Sequence, residues 1–160
     1  MRLAGEILQG ILARAALVLL RVYLGTVFLV AAGPKLGRDF SPQLVEFLQN
    51  VGFKRAYPFY RWFLATVVLP NAHLFGLMIP WGELLVGTLL ILGLLTRLTA
   101  AGALLILVNY MLAKGAWIWT PSSNDAAFAL IALALLMGAA GRTLGVDSVL
   151  ARRWPRSPLW

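Results

Sequence analysis

Four apolar runs, each roughly 17 to 23 residues long, leave this chain few ways to fold: about Ile11 to Gly33, Leu74 to Leu95, Leu98 to Trp117, and Asp125 to Gly141. A helix needs about 20 residues to cross a hydrocarbon core of about 30 Å. Polarity does not alternate within the runs, as it would in barrel strands, and lipid gives backbone groups no partners, so each run is expected to be a helix. The expected fold is an all-α integral membrane four-helix bundle, with residues 1–160 as a single domain. Composition agrees, with 61% hydrophobic residues against 12% charged ones, well outside the balance of a soluble domain.

The net charge of +8 raises the question of nucleic acid. The basic residues, however, gather at span ends and in connections: Arg2, Arg14, Lys35, Arg38, Lys54, Arg55, Arg142, Arg152, Arg153 and Arg156. That distribution suits anionic lipid headgroups and argues against nucleic acid. The absence of cysteine removes disulfides, thiol relays, thiolate metal sites and cysteine-attached haem, and a single histidine, His73, removes bis-histidine haem. No metal site is expected and no covalent cofactor. Basic residues followed by an apolar run and "FLVAAG" are reminiscent of a cleaved leader, but Arg21 in the middle of the run points to a retained first span.

About forty residues separate the first two spans, and a connection of that length usually carries structure or function. Ser41 and Pro42 suit an N-cap and first helical position, Leu44, Phe47, Leu48 and Val51 keep helical spacing, and Gly52 supplies a stop. The following "YPFYRWFLATVVLP" sets aromatic residues beside Arg61 and meets Pro70 before it could span. Residues 41–70 are therefore expected to form an interfacial amphipathic helix and aromatic segment, either a connector resting on the membrane or a lid over a site. Four spans put both termini on one side with Arg97, and seven basic residues there against six opposite give a weak bias toward cytoplasmic termini.

Charged groups near the bilayer centre cost at least ~2.5 kcal/mol each, so they face inward and pair. Arg21 lies about ten residues into the first run and Glu83 about nine into the second, roughly 13 to 15 Å from the surface at which each run begins. Arg21, Gly25, Phe28, Ala32 and Lys35 share one helical face, and Glu83, Gly87 and Leu94 another, with glycines that let the backbones approach. An Arg21–Glu83 ion pair is expected, either fixing helix register or lining a pocket for a headgroup or oxyanion. Asn109, with Tyr110 beside it, is expected to face the same interior, as interhelical glue or as a ligand contact. Ser122, Ser123, Asn124 and Asp125 read as an N-terminal cap, and Asp125 is also placed to pair with Lys35 at a pocket mouth. His73 and Arg97 are secondary candidates, the first for a quinone carbonyl or a proton, the second as a snorkelling anchor.

Three segments carry a family likeness: "LLRVYLGTVFLVAAGPKLG" (residues 19–37), "GELLVGTLLILGLLTRLTAAGALLILVNYMLAKG" (82–115) and "NDAAFALIALALLMGAAGRTLGVDSVL" (124–150). The arginine followed by Gly and G-x-K, the E-x-x-x-G leading to G-L-x-T-R, and the closing G-R-x-x-G-x-D resemble the DoxX family and its DoxD relatives. The resemblance implies a four-span bundle in a prokaryotic cytoplasmic membrane, and it carries Arg21, Lys35, Glu83, Arg97, Arg142 and Asp147 over as family positions. DoxD relatives form the membrane subunit of thiosulfate:quinone oxidoreductase, which implies a bound quinone and a protein partner, because this chain has no redox centre of its own.

Two functions follow as expectations. One is a quinone-interacting subunit of a membrane oxidoreductase, with Arg21, Lys35, Glu83, Asn109 and Asp125 around the quinone or an oxyanion. The other is a non-enzymatic scaffold or assembly subunit of a larger membrane complex, in which the buried charges serve the fold. Transport is weaker, since no broken helices or inverted repeat are visible; homo-oligomerisation stays open.

Overall fold

The computed structural model describes residues 2–121, 123–138 and 140–154, and every regular element among them is helical. The expectations placed on Ser122 and Arg156, and on the side chains of Arg2 and Arg142, lie outside what is described. The elements are α1 (Arg2–Ala32), α2 (Ser41–Phe47), α3 (Phe53–Arg55), α4 (Pro58–Phe63), α5 (Ala72–Leu92), α6 (Thr96–Lys114), α7 (Asp125–Gly138) and α8 (Val146–Arg153). Three stretches are long and apolar enough to cross a membrane: Leu8–Lys35, Ala72–Leu92 and Thr96–Lys114. The fourth apolar run forms a helix of 14 residues, about 21 Å long, and so falls short of the length a spanning helix needs. The chain is a multi-pass membrane protein.

α1 packs along α5 and α7, and α6 along α7 and α5. Their shared core holds Leu24 and Phe28 of α1, Val86 and Leu90 of α5, Ala100, Ala103 and Leu107 of α6, and Ala132 and Leu135 of α7. Alanines on α6 and α7 let those two helices lie close, as small residues do where lipid supplies no hydrophobic drive to associate. The backbones of α1 and α5 approach closely at Gly25 and Gly87. A Cβ on Gly25 would stand 3.0 Å from the Gly87 carbonyl oxygen, and one on Gly87 would stand 2.9 Å from that of Gly25.

That contact fixes the register of the two antiparallel helices and overturns the expected Arg21–Glu83 pair. Arg21 and Glu83 each lie four residues before the glycine of their own helix, and in antiparallel helices those steps run in opposite directions. The two side chains therefore start about eight residues, or ~12 Å, apart along the axis. Arg21 sits level with the end of α5, where its guanidinium would touch a Cβ on Gly93. Glu83 lies toward the other end, within reach of Lys35.

The connection before α5 is a helical hairpin. Gly52 does not stop its first arm: α2 runs through a π-turn over Leu48–Gly52 into α3, because the glycine is buried against Leu48 and Leu64 and nothing there requires a positive φ. Ser41 is the first helical residue of α2 and not its cap, because its hydroxyl and its N–H, at 2.9 Å, both donate to the Asp39 carboxylate. The second arm, α4 and a π-turn over Leu64–Val68, folds back so that Leu44, Leu48, Ala56, Tyr60, Leu64, Val68 and Ala113 form a second core. The aromatic segment thus packs on the loop ends of α5 and α6 while leaving Phe59 and Trp62 exposed.

Candidate functional site

Six polar side chains meet at the loop end of the bundle. Glu83, 1% exposed, receives the Lys35 ammonium at 2.6 Å on each carboxylate oxygen. The Tyr110 hydroxyl donates to Glu83 Oε1 at 2.5 Å. One helical turn past Tyr110, Lys114 pairs with Asp125 at 2.7 Å, and the Ser123 hydroxyl donates to the same carboxylate. Both ammonium groups also lie over the Tyr110 ring, Lys35 at 5.9 Å and Lys114 at 5.5 Å from its centroid, within cation–π range. Tyr110 is thus the element common to two ion pairs.

The local sequence explains each position. Gly33 and Pro34 convert the end of α1 into a short 3₁₀ turn that ends on Lys35, aiming its long stem back toward Glu83. Asp125 is the first residue of α7, where a carboxylate also suits the positive end of the helix dipole. Tyr110 and Lys114 stand at i and i+4 on α6 and so share a face.

These groups edge a cavity of about 240 Å³ between α1, α6 and α7. Val27, Phe28, Ala31, Leu107 and Phe128 make its apolar walls, and Lys35, Glu83, Tyr110, Lys114 and Asp125 its polar rim. A carboxylate between an ammonium and a phenol can accept or pass on a proton, and the two lysines and the phenol supply donors to an oxygen-bearing ring. The four formal charges cancel, so the rim favours a neutral polar headgroup over a free anion. Among the described residues no group of carboxylates and imidazoles is placed to hold a metal ion.

Of the expected site residues, Lys35, Glu83, Tyr110 and Asp125 converge here. The expected Lys35–Asp125 pair does not form, because each has a nearer partner, yet both line the same cavity. Asn109 turns to another face of α6, where its amide donates to the Leu105 carbonyl at 2.7 Å and accepts from the Tyr60 hydroxyl. It ties the hairpin to α6. His73 is exposed in the first turn of α5, and Arg97, at the opposite end, reaches the Leu136 carbonyl at 3.4 Å. Lys114 was not among the expected site residues; its i+4 spacing from Tyr110 was the available signal.

Arg21 belongs to a second polar cluster at the far end. Its guanidinium donates to the carbonyls of Ala140, at 3.2 Å, and Leu144, at 2.7 Å. Asp147, fully buried, accepts the N–H groups of Leu95 at 2.7 Å and Thr96 at 2.8 Å, satisfying donors at the start of α6. Leu95 and Leu144 both hold left-handed backbone, at φ 49°, a conformation that costs non-glycine residues energy and persists where neighbours enforce it. Here the neighbours are Asp147 and Arg21. A Cβ on Gly141 would lie within 2.3 Å of Thr96 Oγ1 and closer still to Asp147, which leaves no room for one. This cluster latches the tail to α1 and to the α5–α6 turn.

The residues of both clusters fall within residues 16–158, the stretch matched by a family model described as "TQO small subunit DoxD". The chain belongs to the DoxD family. No curated protein and no solved structure matches it. Within the matched stretch the G-L-x-T-R and G-R-x-x-G-x-D segments meet as the latch, while Lys35 and Glu83 meet in the cavity.

Proposed function

We propose that this DoxD chain is the membrane subunit of a thiosulfate:quinone oxidoreductase or a close variant, and that the Lys35–Glu83–Tyr110 cavity receives the headgroup of a quinone. The observation that carries the reading is the buried Glu83 carboxylate, doubly held by Lys35 and Tyr110 at the edge of an otherwise apolar cavity. Its volume lies just below the ~300 to 1,000 Å³ usual for drug-sized ligands, which suits a ring with its oxygens while an isoprenoid tail stays in lipid. A quinone accepts two electrons and two protons. This chain's part is the protons and the orientation: Lys35 Nζ and Tyr110 Oη stand as donors toward a carbonyl, and the Glu83 carboxylate takes up protons from water and passes them to either donor. The electrons come from a partner subunit. The proposed setting is a four-span bundle in a prokaryotic cytoplasmic membrane with both termini inside, in which α7 and the 3₁₀ turn over Ala140–Arg142 together make the fourth crossing.

The satisfied state of Glu83 also supports a second reading, in which the cluster only holds α1, α5 and α6 together within a larger complex. Calorimetric titration of decyl-benzoquinone into the purified protein in detergent separates the two. Glu83→Gln and Tyr110→Phe should each weaken binding about tenfold, the effect of ~1.4 kcal/mol. Equal binding by wild type and both variants rejects the assigned site and favours the scaffold.

A further inference from the structure

A second cavity, of about 360 Å³, lies on the other side of Lys35. Its walls are the turn from Lys35 to Asp39 and the first turns of α5 at Gly76, Leu77, Pro80 and Trp81. Those walls are closely docked: a Cβ on Gly76 would stand 2.6 Å from Ser41 Oγ.

The charges around it are unequal in availability. Lys35 is committed to Glu83, and Asp39 spends one carboxylate oxygen on Ser41. Arg38 is exposed, with no hydrogen bond or ion pair among the described residues. A free guanidinium at the rim calls for an anion with oxygens to present, such as a phosphodiester. The other carboxylate oxygen of Asp39, exposed on the cavity wall, accepts nothing among the described residues and suits a hydroxyl donor. Below the cavity, α5 presents Leu77, Trp81 and Leu85 at helical spacing, each more than half exposed, over about 12 Å of axis. Tryptophan on such a face is characteristic of the boundary between headgroup and hydrocarbon.

An anionic head with hydroxyls, above an apolar strip that descends into the membrane, describes a phospholipid. We infer that this cavity is a binding site for one anionic phospholipid of the phosphatidylglycerol class, its phosphate at Arg38, its glycerol hydroxyls toward Asp39, and its acyl chain along Leu77, Trp81 and Leu85. The site is distinct from the quinone cavity and independent of that reading. The bound lipid packs against the turn that carries Lys35, and so braces the end of α1.

The test is thermal unfolding of the detergent-purified protein with added dioctanoyl-phosphatidylglycerol, dioctanoyl-phosphatidylcholine or sn-glycerol 3-phosphate. The phosphatidylglycerol should raise the midpoint well above the other two, with at least half of that increment lost in Arg38→Gln and in Trp81→Ala and retained in Arg152→Gln, a basic residue at the tail. Arg38 and Trp81 are exposed, so both variants are expected to fold, with unchanged midpoints in the absence of lipid as the check. An equal rise with phosphatidylcholine would overturn the headgroup assignment. An equal rise with glycerol phosphate would mean a free-phosphate site, and an undiminished rise in Arg38→Gln would mean that the lipid binds elsewhere.

Discussion

Replacing Asp147 with alanine should be among the most damaging single changes at the latch. The carboxylate is fully buried and accepts two backbone N–H groups, from Leu95 and Thr96, at 2.7 and 2.8 Å. Its charge also opposes that of the buried Arg21 guanidinium. A hydrogen bond to a charged group contributes about 1.5 to 3 kcal/mol, and removing one member of a buried charged pair costs about 3 to 5 kcal/mol. These effects overlap in one network and do not add, so Asp147→Ala is expected to lose ~3 to 5 kcal/mol. At roughly 2 to 4 °C per kcal/mol for a chain of this size, the unfolding midpoint should fall by roughly 6 to 20 °C. Asp147→Asn keeps one acceptor oxygen but turns an amide toward the other N–H, and should fall about half as far. Circular dichroism of detergent-solubilised protein during heating reads this directly. A midpoint for Asp147→Ala within 2 °C of wild type would refute the claim that the latch carries the α5–α6 turn.

Two further outcomes follow from the geometry. Gly87→Val inserts a branched side chain where even a Cβ would meet the Gly25 carbonyl at 2.9 Å; it should cost about 1 to 3 kcal/mol by overpacking, and amine-reactive labelling of Lys35 should rise as its pairing with Glu83 loosens. Asp39 lies outside the spans, and hydrogen bonds from the Ser41 hydroxyl and then its N–H hold the Asp39 carboxyl below the ordinary carboxylate range. Because the folded value is depressed, the stabilisation is present above the unfolded value of about 3.9 and disappears as pH falls through the folded one. An NMR titration of the Asp39 carboxyl should therefore show a midpoint below ~3.9 that moves up toward it in Ser41→Ala; a midpoint unmoved by the substitution would reject Ser41 as the cause.

Much of the fold was legible, because the hydrocarbon core imposes run length and composition on any helix that crosses it. The three long helices lie where the apolar runs lie, and the glycine-bearing faces of α1 and α5 do meet. The relative depth of α1 and α5 was not legible. Aligning the runs at their outer ends paired Arg21 with Glu83, whereas the Gly25–Gly87 contact slides the helices until Lys35 is the nearer cation. Lys35 was on the correct face of α1 all along, and only tertiary contact could choose between two cations on one stripe. Gly52 misled for a related reason: glycine stops a helix when the backbone must turn left-handed, and here it serves close packing instead. The tail latch was visible only as family positions, since Asp147 caps a helix that begins about fifty residues earlier and no local pattern announces that.

The central claim, that the cavity framed by Lys35, Glu83 and Tyr110 holds a quinone headgroup, is tested most directly by photolabelling with an azidoquinone followed by peptide mapping. The label is expected on the cavity walls, at Val27 to Ala31 of α1, Leu107 to Lys114 of α6 and Asp125 to Phe128 of α7, and to be displaced by excess decyl-benzoquinone. Displaceable label confined to the hairpin or to the lipid-facing side of α5 and α6 around Met78 and Leu105, or an absence of displaceable label, would contradict it.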